Sequence, residues 1–293
     1  MELRQLNYFI AIVEEGTVSG AARRLNMSQP PLTAQMHALE SELGCALFEH
    51  AGRRLRLTEA GRTFYARARA IVTLCADTRT EMADLGAGVS GVLHIGVISS
   101  VCGAEFIGWM RAFAQSHPGV RYDLHEANTY QLLNLLRERA IDVAIVRTPF
   151  AAPDMNMSPI RRENMVAAGE ARYFKDMPGR AAISLSDATR TPLLIYRRWE
   201  TILRERFERM GVAPRVMCVS DSALTTMALA AAGLGVALVP ASTLGGADFG
   251  AIEARAIGDA GISSDIAAVY RSDAELTATA REFMLTLPHD EGL

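Results

Sequence analysis

The chain has 293 residues, a formal net charge of −3, 49% hydrophobic residues and 22% charged residues. That size and balance fit about two globular domains with ample core, and they exclude fibrous, low-complexity and strongly basic classes. No apolar run reaches the roughly 18 residues of a membrane span, and the N-terminal apolar residues lead straight into Glu14 and Glu15 rather than a cleavage site, so a cytoplasmic protein without signal peptide or membrane partner is expected.

In the first 62 residues seven arginines face seven glutamates, so affinity for a polyanion must come from where charge sits, not from a global field. Leu3, Leu6, Phe9, Ile10 and Val13 recur at helical spacing, and Gly16 closes that helix. Ser19 is the expected N-cap of a short second helix with Ala21, Ala22 and Leu25 facing inward. Ser28 is the expected cap of a third, with Pro30 and Pro31 in the first turn, where a missing N–H costs least. This helix runs to Leu43 and stops at Gly44. Leu32, Met36, Leu39 and Leu43 share one face, and Pro30, Thr33, Ala34, His37 and Ser41 the other. Two short helices and a tight turn describe a helix-turn-helix, whose second helix enters the DNA major groove N-terminal end first. Gln29 sits at that end and can pair with adenine, and Thr33 carries an adaptable hydroxyl. In the segment HAGRRLRLT (50–58), Gly52 allows a turn between short strands and Arg53, Arg54 and Arg56 crowd its tip, an arrangement that suits a wing on the minor groove or phosphates. A solvated charged face is the alternative reading of those arginines.

These residues carry a family resemblance. Leu3, Leu6 and Phe9, Ala21-Ala22 with Leu25, Ser28-Gln29-Pro30, Leu32-Thr33, Leu39-Glu40, Leu43-Gly44, Leu47-Phe48-Glu49, and Arg53 followed by Leu57-Thr58-Glu59-Ala60-Gly61 match in order and spacing the head of a LysR-type transcriptional regulator. The resemblance implies that Gln29, Pro30, Thr33 and Gln35 line the DNA side of the recognition helix and that Arg53 reaches toward the minor groove. Ala34, Gly20 and Asn7 stand where many relatives carry basic residues, which shifts weight onto His37 and the wing.

Thr58 is the expected cap of a long helix, with Glu59 in its first turn. Phe64, Ala68, Ile71, Cys75, Thr78, Met82 and Leu85 repeat every 3.5 residues, the seam of a coiled coil. The two readings are packing on its own domain and pairing with a second chain; the resemblance favours pairing, giving a homodimer, assembled further to a homotetramer, that reads an interrupted palindrome on double-stranded DNA, with RNA polymerase as a further expected partner. Residues 86–91, GAGVSG, match a dinucleotide-binding fingerprint literally, but the segment follows a helix and precedes a strand, the reverse of what that motif needs, and reads as a hinge.

From Val92 the pattern alternates short apolar strands with amphipathic helices: strands at 92–99, 120–126, 141–146, 193–196, 216–220, 235–239 and 266–270, and helices at 104–116, 130–139, 199–210, 222–232 and 275–287. DVAIVR (142–147) and AAAGLGVALVP (230–240) extend the LysR-type resemblance to nearly the whole chain. It implies a two-lobed α/β domain like a periplasmic binding protein. The expected organisation is α+β and multidomain: a winged helix-turn-helix (1–57), a linker helix (58–85), a hinge (86–91) and an effector domain (92–293), with lobe I at 92–160 plus 266–293 and lobe II at 161–265.

Ligands of open α/β sheets bind beyond the carboxyl ends of strands. That rule selects Ser99, Ser100, Thr129 and Arg147 in lobe I, and Tyr196, Arg197, Ser220 and Ser222 in lobe II. Ser99, Ser100 and Thr129 also match positions that commonly touch effector in the resembled family. Ordinary helix capping is the alternative for the hydroxyls, and a structural ion pair for Arg147. The expected effector is a small, anionic molecule. His37, His50, His94, His117, His125 and His289 are scattered, without metal spacing or a triad. Cys45, Cys75, Cys102 and Cys218 show no C-x-x-C and are expected as small buried hydrophobes, the alternative being a redox-sensing thiol if two of them meet in space. No catalytic residue, metal or cofactor is therefore expected.

Overall fold

The structure is a computed structural model that describes residues 1–51, 54–83, 89–177, 181–259 and 261–288. It forms two compact units: Met1–Val92 with Asn134–Ala140, and Leu93–Leu133 with Ile141–Leu293.

In the first unit, α1 (Leu3–Glu15), α2 (Val18–Arg24) and α3 (Gln29–Leu43) precede a two-stranded ribbon, β1 (Phe48–Ala51) and β2 (Arg54–Leu57), and the 25-residue helix α4 (Glu59–Ala83). Leu6, Phe9, Ile12, Ala21, Ala22, Leu32, Met36, Leu39, Leu47 and Ala68 make the core. Phe9 is its centre, with ring centroids 5.1 Å from both Phe48 and Phe64. Gly16 ends α1 at φ +67. The cap of α2 is Thr17, whose hydroxyl accepts from the Gly20 N–H at 3.1 Å, rather than Ser19, which lies inside the helix. Between α2 and α3, Asn26 takes φ +53, a left-handed conformation that asparagine tolerates better than most side chains, and this turns the chain within four residues.

The ribbon is fixed to α3 and α4 at Leu47. The Glu40 carboxylate accepts from the Leu47 and Phe48 N–H groups at 2.7 and 3.3 Å. Thr58 donates its N–H to the Leu47 carbonyl at 3.1 Å and its hydroxyl to the Ala46 carbonyl at 2.7 Å, and caps α4 by accepting from the Gly61 N–H. A Cβ on Gly61 would stand 2.0 Å from the Leu47 carbonyl oxygen, so this close approach requires glycine.

In the second unit the sheet order is β4 (Val120–Glu126), β3 (Gly91–Val97), β5 (Val143–Arg147), β12 (Ser263–Arg271), β6 (Met155–Gly169), β10 (Val236–Pro240), β8 (Leu193–Tyr196) and β9 (Val216–Ser220). β11 (Glu253–Ile257) joins β6 and the short β7 (Ala182–Ile183). α5 (Ala104–Ser116), α7 (Leu185–Ala188), α8 (Glu200–Arg209), α9 (Ala223–Ala231) and α10 (Ala278–Thr286) complete its elements, with the start of α6 (Thr129–Arg137), whose residues from Asn134 on belong to the first unit. β3 and β5 run parallel, as do β10, β8 and β9. The 15-residue β6, absent from the sequence reading, belongs to both lobes. Residues 155–164 pair with β12, and 165–169 with β10 and β11. Its register shifts at Pro159–Arg161, a bulge that accommodates a proline lacking the N–H of a regular ladder. Lobe II has its own core, including Met165, Phe174, Ile195, Trp199, Leu203, Phe207, Met227 and Leu238.

Gly61→Ala is expected to destabilise the first unit by about 1–3 kcal/mol, the usual effect of forcing a methyl into filled space. A lowered first transition in thermal melting of the full chain checks this, and an unchanged melt contradicts it.

Candidate functional site

α3 buries Leu32, Met36 and Leu39 and turns its other side outward. Gln29, Pro30, Ala34, His37 and Ala38 are exposed along it. Ser28 is also exposed and stands at the N-cap position, but its side chain makes no cap bond. Thr33 is half-exposed, its hydroxyl donating to the Gln29 carbonyl at 3.1 Å, and Gln35 is half-buried on the flank. Leu43, expected in the buried stripe, is 37% exposed at the last residue of the helix. Arg53 lies outside the described residues, as does the Arg54 side chain, while the Arg54 backbone pairs with Ala51 across the ribbon.

The stripe of α4 divides in two. Phe64 and Ala68 pack into the head's own core, so the first half of the heptad pattern is satisfied within the chain. Beyond it Ile71 is 36% and Leu74 57% exposed. Cys75 is half-buried and Thr78 exposed; the Met82 side chain, Leu85 and the GAGVSG segment up to residue 88 lie outside the described residues.

In the second unit, hydrogen bonds align the strand ends of lobe I. The Ile98 N–H donates to Ile145, and the Ala127 N–H to Val97. Ser99 and Ser100 after β3, Thr129 at the start of α6 and Arg147 at the end of β5 therefore share one edge. Ser99 is half-buried. Ser100 and Thr129 are 2% and 1% exposed, and neither hydroxyl has a hydrogen-bond partner. A hydroxyl buried in this way loses its water without replacement.

Arg147 has no exposed surface and is committed to the protein. It forms an ion pair with Glu163 on β6, and donates to Ser264 on β12 at 2.8 Å and to Ser242 after β10 at 3.1 Å. Burial pushes the guanidinium pKa down and Glu163 opposes this. Ser242 reinforces the pair, giving its N–H and hydroxyl to the Glu163 carboxylate and its hydroxyl also to the Ser100 carbonyl. Of the two roles open to Arg147, the structural ion pair is the one formed.

Lobe II aligns Tyr196 with Ser220 across β8 and β9. Tyr196 is 6% exposed, and burial raises its pKa. Arg197 points to Asp221 at 2.5 Å and Glu200 at 3.7 Å. Ser222 caps α9 by accepting from the Thr225 N–H, and the Ser220 hydroxyl donates to the Ser222 carbonyl. Both serines thus serve the local backbone. The residue that the sequence reading passed over is Arg198, whose Nη2 donates to the carbonyls of Arg147 and Pro149 in lobe I. Its signal was available: a second arginine beside Arg197 in the turn following a lobe II strand.

Among the described residues no group of three histidine, cysteine or acidic side chains is placed to hold a metal, and no helix is long and apolar enough to cross a membrane. The four cysteines are free, but none is fully buried, contrary to expectation: Cys45 is exposed where α3 ends, and the others are half-buried.

Glu163→Gln leaves a buried guanidinium without countercharge, and is expected to destabilise the second unit by about 3–5 kcal/mol. Arg147→Met combined with Glu163→Leu is expected to recover most of that loss. Urea denaturation of both variants reads the difference; additive effects would show that the two groups are not coupled.

Residues 3–62 match the bacterial regulatory helix-turn-helix protein, lysR family, and residues 86–289 the LysR substrate binding domain. The chain is 34% identical over 245 residues to the HTH-type transcriptional regulator TfdS of Cupriavidus pinatubonensis, covering 83% of each, and 30% identical to BenM of Acinetobacter baylyi, covering 83% of this chain and 81% of the relative. Full-length CbnR in complex with its target DNA superposes with a TM-score of 0.78 at 27% identity, covering 98% of this chain and 99% of that one. With both segments matched and relatives that are regulators rather than enzymes, the chain belongs to the LysR-type transcriptional regulators, with a helix-turn-helix DNA-binding domain and an effector-binding domain.

Proposed function

We propose that this regulator reads DNA through the outward face of α3 (Ser28, Gln29, Pro30, Thr33, Gln35 and His37) with Arg53 and Arg54 of the ribbon on the minor groove or phosphates. The observation that carries the reading is the two-sidedness of α3: Leu32, Met36 and Leu39 are buried, while its N-terminal polar and small residues face solvent. The half-exposed apolar stripe at Ile71 and Leu74 supports pairing of α4 with a second copy, giving a dimer, and a tetramer beyond it, suited to an interrupted palindrome. Such a protein acts in the cytoplasm, on promoter DNA and beside RNA polymerase.

The sensor reading places a small molecule between the lobes at Ser99, Ser100 and Thr129, with Arg147, Tyr196, Arg197, Ser220 and Ser222 shaping the surrounding strand ends. The two orphaned hydroxyls support it. The ligand acts by preferring one arrangement of the assembly over another, and only to the extent of that preference.

Gel retardation with DNA upstream of the protein's own coding region tests the DNA reading. Retention is expected to weaken steeply with salt, and Gln29→Ala with Thr33→Ala is expected to lose about 1–3 kcal/mol of discrimination between operator and scrambled DNA. Discrimination that survives the double substitution refutes the assignment. For the linker, Ile71→Asp with Leu74→Asp is expected to lower the sedimenting mass of the full chain at micromolar concentration; an unchanged mass would place the pairing elsewhere.

A further inference from the structure

We propose that Arg198 is the specificity-determining residue of the sensor, the group that makes it select a small carboxylate. The inference rests on the effector reading above and deepens it.

Arg198 stands in the single turn 197–199 that follows β8, on the lobe II side. Its guanidinium crosses to lobe I and donates to the carbonyls of Arg147 and, at 3.2 Å, Pro149. Its setting differs from that of the arginines around it. Arg147 has Glu163, Arg161 has Glu105 at 2.7 Å, Arg162 has Asp265 at 2.9 Å and Arg197 has Asp221 at 2.5 Å. Among the described residues no carboxylate lies within ion-pair distance of Arg198, and its side chain is half-buried. A guanidinium offers a fork of donors, and here only Nη2 is bonded, to neutral carbonyls. A half-buried guanidinium without a countercharge and with donors to spare attracts an anion, and its planar geometry fits a carboxylate through two parallel hydrogen bonds.

The orphaned hydroxyls are a second observation, independent of the charge. Ser100 is tied to the same place through a short chain of contacts. Its carbonyl accepts from Ser242, Ser242 accepts from Arg147, and the Arg147 carbonyl accepts from Arg198. Thr129 is followed by Tyr130 at the start of α6, and Tyr196 directly precedes the turn that carries Arg198. Because Glu163 cancels Arg147, this edge carries one uncompensated positive charge, which suits a single carboxylate on an uncharged body better than a phosphate dianion. The apolar or polar nature of that body is then read by the tyrosines and hydroxyls, and the charge by Arg198.

The test uses the full-length protein in thermal-shift and calorimetric titrations with benzoate, succinate and acetate at millimolar concentration, each beside its neutral amide, and with inorganic phosphate. At least one carboxylate is expected to raise the melting temperature while its amide and phosphate do not. Arg198→Gln is expected to weaken that carboxylate by about tenfold or more, with Arg198→Lys recovering part of the loss because it restores charge without the planar fork. Equal carboxylate affinity in Arg198→Gln, a preference for phosphate or for the amides, or no response of the wild-type protein to any of the carboxylates overturns the assignment. A purely structural clasp would instead lower the melting temperature of the ligand-free Arg198→Gln variant and leave carboxylate affinity where it was. If amides stabilise the protein, and Ser100→Ala or Thr129→Val abolishes this while Arg198→Gln does not, the effector site stands and only the role of Arg198 falls.

Discussion

A guanidinium with no solvent exposure must be neutralised where it lies, and the arrangement of the sensor's strand ends follows from how Arg147 meets that demand. Its countercharge comes from β6, and its remaining donors are taken by serines on β12 and in the turn after β10. The elements fixed by one side chain thus come from both lobes. The same network orients the Ser100 carbonyl through Ser242 and leaves the Arg147 carbonyl to receive Arg198. Arg161 and Glu105 extend the alternation of charge to the surface. A buried pair of this kind contributes little net stability compared with an apolar replacement, but removing half of it is severe. Its effect is to fix positions, which a binding site between lobes needs more than it needs additional stability.

The head fixes its parts at Leu47 with one carboxylate, a threonine and backbone groups. The Leu47 N–H is held by Glu40, its carbonyl by the Thr58 N–H, and Gly61 leaves room for that carbonyl against α4. α3, the ribbon and α4 converge on this residue. The ribbon's position relative to the outward face of α3 is therefore set by hydrogen bonds only a few residues from the face itself. A loosely attached ribbon would lose its orienting entropy at the moment of binding; one fixed in advance does not.

The helices of the head were legible because each carries an apolar stripe of several turns and an identifiable stop, as with Gly16 and Gly44, both in left-handed conformations. Thr17 and Ser19 were not separable by residue type, since either hydroxyl can cap, and the choice depended on where α1 ends. Periodicity along α4 cannot name the partner: of the seam residues, Phe64 and Ala68 pack in the head, while Ile71 is 36% exposed, as is the neighbouring Leu74 at 57%. β6 escaped notice because its two halves live in different environments. Its first half is mostly half-buried or exposed, interrupted by Pro159 and rich in polar residues, and its last five residues are all buried, so neither alternation nor a single apolar run spans it. Strand-end topology brought Ser99, Ser100, Thr129 and Arg147 to one edge, as the sequence pattern implied. It could not decide whether a given arginine there is spent on Glu163, on Asp221 or on nothing acidic at all, because that depends on residues more than ten positions away.

The neutrality of the head, with as many acids as bases, looks unhelpful for a DNA-binding domain until the acids are placed. Glu14 and Glu15 pair with Arg24, and Glu42 pairs with the chain's amino terminus. One oxygen of Glu40 is held by the Leu47 and Phe48 N–H groups, and the other lies 3.8 Å from His37 Nδ1 on the outer face. From Gln29 to Leu39, α3 contains no acid, so its outward face carries little negative charge of its own although the first 62 residues as a whole carry no net positive charge. Neutrality overall lowers the long-range attraction to any polyanion, while the acid-free face preserves contact at short range. Discrimination between sequences gains from that combination, because less of the total affinity is contributed by backbone charge common to every site.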